Sequence, residues 1–142
     1  MKTNPEFLAE LEDLNMNMEH KPRILVVEDQ PEVRELLKLV LVHAGCEVNA
    51  AETGNEGLLL AGDGGFDLIT LDVDLPGASG FEICSRLKQS PELKSIPVVF
   101  VTGRFAEEDR QRARELGAAD FFTKPLDLPT FVPRLLAHAK SS

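Results

Sequence analysis

Short apolar runs alternate along this chain with longer stretches in which apolar residues recur every third or fourth position. Arg23–Val27 (RILVV) is β-branched, apolar and closed by acids, which predicts a strand buried on both faces. Pro31 then falls where a first helical turn tolerates proline. Val33, Leu36, Leu37, Val40 and Leu41 come next at helical spacing until Gly45 supplies a stop. The same alternation predicts a strand over 47–51, a short helix over 55–61, a strand over 67–71 and a helix over 80–89. It continues with a strand over 97–101, a helix with a charged face over 107–116 closed by Gly117, a strand over 120–123 and a last helix. Five such strand–helix units call for a parallel sheet covered on both faces, because parallel strands need crossover connections. The expected fold class is therefore α/β, a doubly wound five-stranded parallel sheet. Ligands of such open sheets gather beyond the carboxyl ends of the strands, so the chemistry is expected just after each strand.

The region before the first strand breaks the alternation. Phe7, Leu8, Leu11 and Leu14 share one helical face after a Thr3-to-Glu6 spacing that resembles a capping box. Residues 1–21 thus read as an N-terminal extension to a domain over 22–140. An extra amphipathic helix packed on that domain is the preferred form, with a dimer contact or a disordered tail as alternatives. The 142 residues, 43% of them hydrophobic, are enough for a single core. With 24 acidic against 15 basic side chains and a net charge of −9, the average field repels nucleic acid and anionic lipid, so neither direct DNA binding nor a membrane partner is expected. Cys46 and Cys84 lack any CxxC or metal-type spacing, and no export signal or spanning segment is evident, so a reducing cytoplasm fits best. His20, His43 and His138 show no ligand or triad spacing, and surface positions are expected for them.

The residues just beyond the strands are more informative. The first strand delivers Glu28 and Asp29, the third Asp72 and then Asp74, the fourth Thr102, and the fifth Lys124 with Pro125 after it. Singly, an acid at a strand end is usually a solvated turn or a helix cap. Together the carboxylates would repel one another in a partly dry crevice and so require a cation or a raised pKa. Oxygen donors without His or Cys suit a hard octahedral ion such as Mg2+. Lys124 adds a fixed positive charge and Thr102 a hydroxyl donor, a set suited to phosphoryl transfer, with the Asp72 carboxylate as the central candidate nucleophile.

The runs EDQP, LDVDLPGASGFE, VFVTG and GAADFFTKP, at the ends of the corresponding strands, resemble the response-regulator receiver domain of two-component signal transduction over residues 22–140. The resemblance implies the flavodoxin-like strand order 2-1-3-4-5 of the chemotaxis receiver. It implies that Asp72, four residues before Pro76 and eight before Gly80, is the phosphoacceptor rather than Asp74. Asp29 becomes a direct metal ligand beside Asp72, Glu28 a ligand directly or through water, and Asp74 a ligand through its backbone carbonyl. Thr102 matches the switch hydroxyl, Lys124 the phosphate-binding lysine and Phe121 the switch aromatic, although Phe121 and Phe122 also read as plain core packing on alternate faces. Phosphorylation would then remodel the surface formed by the 107–116 helix, the 120–123 strand and the last helix, for a downstream protein or a self-dimer. The phosphoryl source would be a histidine kinase or histidine phosphotransfer protein. Such a domain is no enzyme beyond assisting its own phosphorylation and dephosphorylation.

Departures from the family pattern are few. Glu28 stands where many members have a second aspartate. Arg104 and Asp74 flank the family's route for hydrolytic water, where a salt bridge would prolong the phosphoryl group, a solvated arginine being the plainer reading. Pro133, four residues after Pro129, predicts a kinked or late-starting last helix. An aspartyl-phosphate enzyme of the haloacid dehalogenase type shares the Asp72-Val73-Asp74 spacing, but Pro76 replaces its threonine. A flavin or nucleotide module would want a glycine- or hydroxyl-rich loop where EDQP stands. A receiver that only docks is disfavoured by the intact acids, hydroxyl and lysine. The ending Lys140-Ser141-Ser142 leaves a single-domain regulator and a shortened chain as open alternatives.

Overall fold

The structure, a computed structural model, describes residues 4–17 and 20–140. Its elements are α1 (Pro5–Met16), β1 (Arg23–Val27), α2 (Pro31–His43), β2 (Glu47–Ala51), α3 (Gly54–Gly64), β3 (Leu68–Leu71), α4 (Gly80–Gln89), β4 (Val98–Thr102), α5 (Glu107–Glu115), β5 (Asp120–Thr123) and α6 (Leu128–Lys140). All strand pairs are parallel, in the order β2-β1-β3-β4-β5.

Successive side chains of a strand point to opposite faces, and here each face has its own core. Ile24, Val26, Val99, Val101 and Phe122 pack beneath α1, α2 and α6 with Leu11, Leu37, Leu41, Phe131 and Leu135. Leu25, Val27, Ile69, Leu71, Val98 and Phe100 pack beneath α3, α4 and α5 with Ala61, Phe81, Ile83 and Ala113. The two phenylalanines of β5 divide accordingly, Phe122 into the first core and Phe121 against the second.

Element ends reflect local chemistry. Thr53 caps α3 by accepting the Glu56 N–H, and Ser79 caps α4 by accepting that of Glu82. Gly45 and Gly117 take φ values of 96° and 92°, the left-handed stops anticipated for the helices before them. Pro97 has no N–H for the ladder, so β4 begins at Val98 and runs on to Thr102. Asp67 lies outside β3, where its carboxylate accepts the Arg23 N–H at 2.8 Å.

Two expectations need correction. The cap of α1 is Asn4, whose side chain accepts the Phe7 N–H at 2.8 Å, rather than a box begun by Thr3, which lies outside the described residues. Pro133 does not delay the last helix: α6 starts at Leu128 and runs through it. Pro133 costs one internal hydrogen bond on an exposed face, while Leu128, Phe131, Val132, Leu135, Leu136 and Ala139 on the opposite face are buried.

The extra helix α1 is part of the core. Phe7 and Leu11 are buried in the cluster that contains α2 and α6, with Leu8 and Leu14 packed around them. Leu11 is wholly inaccessible to solvent. Leu11→Ala is therefore expected to lower unfolding free energy by about 3 kcal/mol. Urea denaturation checks this, and a loss below roughly 1 kcal/mol would mean that α1 lies outside the cooperative unit.

Candidate functional site

Because parallel strands run in one direction and in register, their carboxyl ends open on one edge of the sheet. The Asp72 N–H donates to the Val27 carbonyl at 3.2 Å and the Lys124 N–H to that of Thr102 at 2.8 Å, so the ladder carries the polar groups into one crevice. Asp29, Gln30, Asp72, Asp74, Gly103 and Lys124 are among its lining. The polypeptide turns back under Asp72 at Gly80, whose N–H donates to the Val73 carbonyl at 2.8 Å. A Cβ on Gly80 would collide with the Asp72 carbonyl oxygen, so only glycine allows α4 to lie this close.

Within the crevice, Asp72 is 4% exposed and Glu28 1%. Lys124 Nζ donates to Asp72 Oδ2 at 2.9 Å and to Gln30 Oε1 at 3.1 Å. It also lies 2.8 Å from Glu28 Oε1, close enough for an ion pair but poorly aligned, and that buried oxygen has no hydrogen-bond partner. Asp72 Oδ1 accepts the Asp74 N–H at 3.2 Å, and Glu28 Oε2 the Gln30 N–H at 3.1 Å. Burial raises the Glu28 pKa above the usual carboxylate range despite Lys124. For Lys124 burial works in the other direction, but hydrogen bonds and charge from Glu28 and Asp72 outweigh it and raise its pKa.

Glu28, Asp29 and Asp72 each bring a carboxylate oxygen within 4.8 Å of the others. Three acids facing a single lysine, one with an orphaned buried oxygen, form a donor set that fits a hard divalent cation. The residues present can hold a metal.

Thr102 is fully buried at the end of β4, and its Oγ1 accepts the Arg104 N–H at 3.3 Å. Among the described residues its hydroxyl makes no hydrogen bond to Asp72. Phe121 is half-buried, with the Phe100 ring 6.1 Å away and the Arg110 guanidinium 5.0 Å from its ring centre. Arg104 is exposed, as the plainer reading had it, but it is also paired across the crevice mouth. Its Nη2 and Nε both donate to the Asp74 carboxylate, the former at 2.8 Å, and Nη1 reaches Asp109 at 3.4 Å.

Sequence reasoning missed three contributors. Gln30 lies within the EDQP run, but nothing local shows its reach to Lys124. Arg34 donates to the carbonyls of Glu28 and Asp29 at 3.1 and 3.3 Å and fixes the turn that presents them. His138, expected at the surface, is half-buried and hydrogen-bonded to Asp120 at 2.9 Å, beside Arg134 at 2.8 Å. The Arg134–His138 spacing of one helical turn was a usable signal for that last cluster. Burial opposes the Asp120 charge, but hydrogen bonds from His138 and the Phe121 N–H, with Arg134, lower its pKa. Cys46 and Cys84 are buried and unpaired, their thiols pushed up to about 12 and about 11, so neither is a nucleophile near neutral pH.

Known proteins share this arrangement. The chain is 41% identical over 115 residues to the phosphate regulon transcriptional regulatory protein PhoB of Escherichia coli (strain K12), covering 81% of this chain and 50% of that protein. It is 37% identical over 122 residues to the uncharacterized transcriptional regulatory protein YkoG of Bacillus subtilis (strain 168), covering 86% and 53%. The chain thus spans about half the length of these relatives. Among solved structures, a putative response regulator from Chloroflexus aurantiacus J-10-fl superposes with a TM-score of 0.81 at 32% identity, covering 85% of this chain and 99% of that one. The non-phosphorylated HemR receiver domain from Leptospira biflexa gives 0.77 at 36% identity, covering 84% and 94%. With residues 24–136 matching the response regulator receiver domain, and with its acids, hydroxyl and lysine at the same strand ends that suggested the resemblance, the chain belongs to that family.

Proposed function

We propose that this chain is a phosphorylation-switched receiver in the cytoplasm. In this reading Asp72 accepts a phosphoryl group from the phosphohistidine of a histidine kinase or histidine phosphotransfer protein. The observation that carries it is the Asp72 carboxylate itself: nearly buried, open to the crevice, held by Lys124 at 2.9 Å and adjoining Glu28 and Asp29. The cation would be Mg2+, and Glu28, Asp29 and Asp72, with the Asp74 backbone carbonyl, would hold it. When bound, it neutralises the clustered carboxylates and the charge of the incoming phosphoryl group.

In the transfer, an Asp72 carboxylate oxygen bonds to phosphorus as the bond to the histidine nitrogen breaks, and that electron pair leaves with the imidazole. Lys124 holds a phosphoryl oxygen. The Thr102 hydroxyl, released from the Arg104 N–H, turns to donate to another, and Phe121 moves into the space it leaves. Phe lacks a hydroxyl to anchor either position, so packing against Phe100 and Arg110 decides its place. The repacked surface is that of α5, β5 and α6, where Arg110, Arg114, Asp120, Phe121 and Arg134 line a groove for a downstream protein or a second copy. Arg104, clamped on Asp74, covers the approach of water to the phosphoryl group and lengthens its life.

Three outcomes test this. With Mg2+ and acetyl phosphate the protein should gain the mass of one phosphate, and Asp72→Asn should abolish the gain; uptake by that variant would remove the central claim. Arg104→Ala should shorten the half-life of the phosphorylated form roughly threefold to tenfold by opening the water path, measured by mass spectrometry after the donor is removed. Because burial raises the Glu28 pKa, acid neutralises this ligand at a higher pH than an ordinary glutamate. Mg2+ affinity measured by calorimetry should therefore fall with pH from above the usual carboxylate range, with binding releasing a proton there. An affinity flat until the ordinary carboxylate range would contradict the assignment of Glu28.

A further inference from the structure

Gln30 is the N-cap of α2, yet its side chain makes no capping hydrogen bond. Asn4, Thr53 and Ser79, at the same position of α1, α3 and α4, each accept an N–H of the first turn. Gln30 instead reaches across the crevice, where its Oε1 accepts from Lys124 Nζ at 3.1 Å. Its own backbone N–H donates to Glu28 Oε2 at 3.1 Å. One residue thus holds both the lysine and an acid of the site, at the expense of a helix cap.

Of the three N–H donors of the Lys124 ammonium, one meets Asp72 Oδ2 at 2.9 Å and one Gln30 Oε1 at 3.1 Å, while Glu28 Oε1 lies 2.8 Å from the nitrogen as an ion pair. Glu28 and Asp72 are buried, whereas Gln30 is exposed at the rim of the crevice. The N–H directed at Gln30 is therefore the one turned toward the mouth, where a phosphodonor enters.

We propose that Gln30 is a positioning residue for phosphoryl transfer: its amide oxygen holds the outward N–H of Lys124 in the place a phosphoryl oxygen will take, and yields it when that oxygen arrives. The proposal rests on the reading of Asp72 as acceptor. With acetyl phosphate as donor, an Asp72 oxygen bonds to phosphorus while the bond from phosphorus to the acetyl oxygen breaks and acetate leaves with the electron pair. During this step Lys124 bridges Asp72 and a phosphoryl oxygen. An anionic oxygen is a stronger acceptor than a neutral amide, so the exchange at Lys124 runs downhill. The outward N–H is already oriented, so it need not be turned when the phosphoryl oxygen arrives. Without the amide oxygen the outward N–H has no holder, and the ammonium is free to rotate away from the place of the phosphoryl oxygen.

Three variants of the full chain separate this role from a structural one. Gln30→Leu removes the acceptor at similar size. Gln30→Ser supplies a capping hydroxyl to α2 but is too short to reach Lys124. Gln30→Glu places an anion at the mouth. With acetyl phosphate and Mg2+, the rate of mass gain should fall roughly threefold to tenfold in Gln30→Leu and Gln30→Ser, while Mg2+ affinity in Gln30→Leu stays within about twofold of the parent. Gln30→Glu should be slower still, because it also repels the donor. Melting temperature without Mg2+ should rise in Gln30→Ser, so that stability and rate move in opposite directions, which a purely structural residue does not produce. Parent-like rates in Gln30→Leu and Gln30→Ser, or rates that track melting temperature, overturn the proposal. A parent that takes no phosphate, or an Asp72→Asn chain that does, overturns the acceptor assignment instead, and Gln30's role with it.

Discussion

The ammonium of Lys124 sits between two nearly buried carboxylates, 2.8 Å from Glu28 and 2.9 Å from Asp72. Burial penalises an ion that has no partner, and the lysine supplies that partner to both. The lysine comes from the end of β5 and the acids from β1 and β3, so the contact also fixes how far the strand ends approach one another. One positive charge against this many carboxylates leaves the site short of positive charge, a deficit that a divalent cation would fill.

The order of elements was readable because each is enforced locally. Runs such as RILVV and PVVFV have no partly polar face, Gly45 and Gly117 end helices by their backbone freedom, and Pro97 marks where a strand can begin. The polar residues after the strands were readable for a similar reason, since parallel strands bring their ends to one edge whatever the loops do. What remained hidden depends on tertiary contact. Asn4 rather than Thr3 caps α1, a shift of one residue that spacing alone does not resolve. Pro133 is tolerated because the apolar residues opposite it are all buried. The Arg104–Asp74 pair joins positions thirty residues apart, and the bond between Gln30 and Lys124 ninety-four.

The two cores give the molecule two largely separate sides. Phe121 faces α5 with Phe100, while its neighbour Phe122 packs edge-on against Phe131 of α6, ring centres 4.8 Å apart. A movement of Phe121 is therefore felt first on the α5 side. The side built from α1, α2 and α6 is separated from it by the sheet, whose strands contribute side chains to both cores. The additional helix α1 adds Phe7 and Leu11 to the core on that second side.

Gly80 gives the site a structural asymmetry. Its backbone lies against the Asp72 carbonyl with no room for a side chain, so the wall on the α4 side is packed without slack. Across the crevice, residues 103–106 form a segment without regular structure, and Phe105 is 81% exposed. The two walls of the crevice thus differ in kind, one closed by backbone-to-backbone contact and the other bounded by solvent-facing side chains.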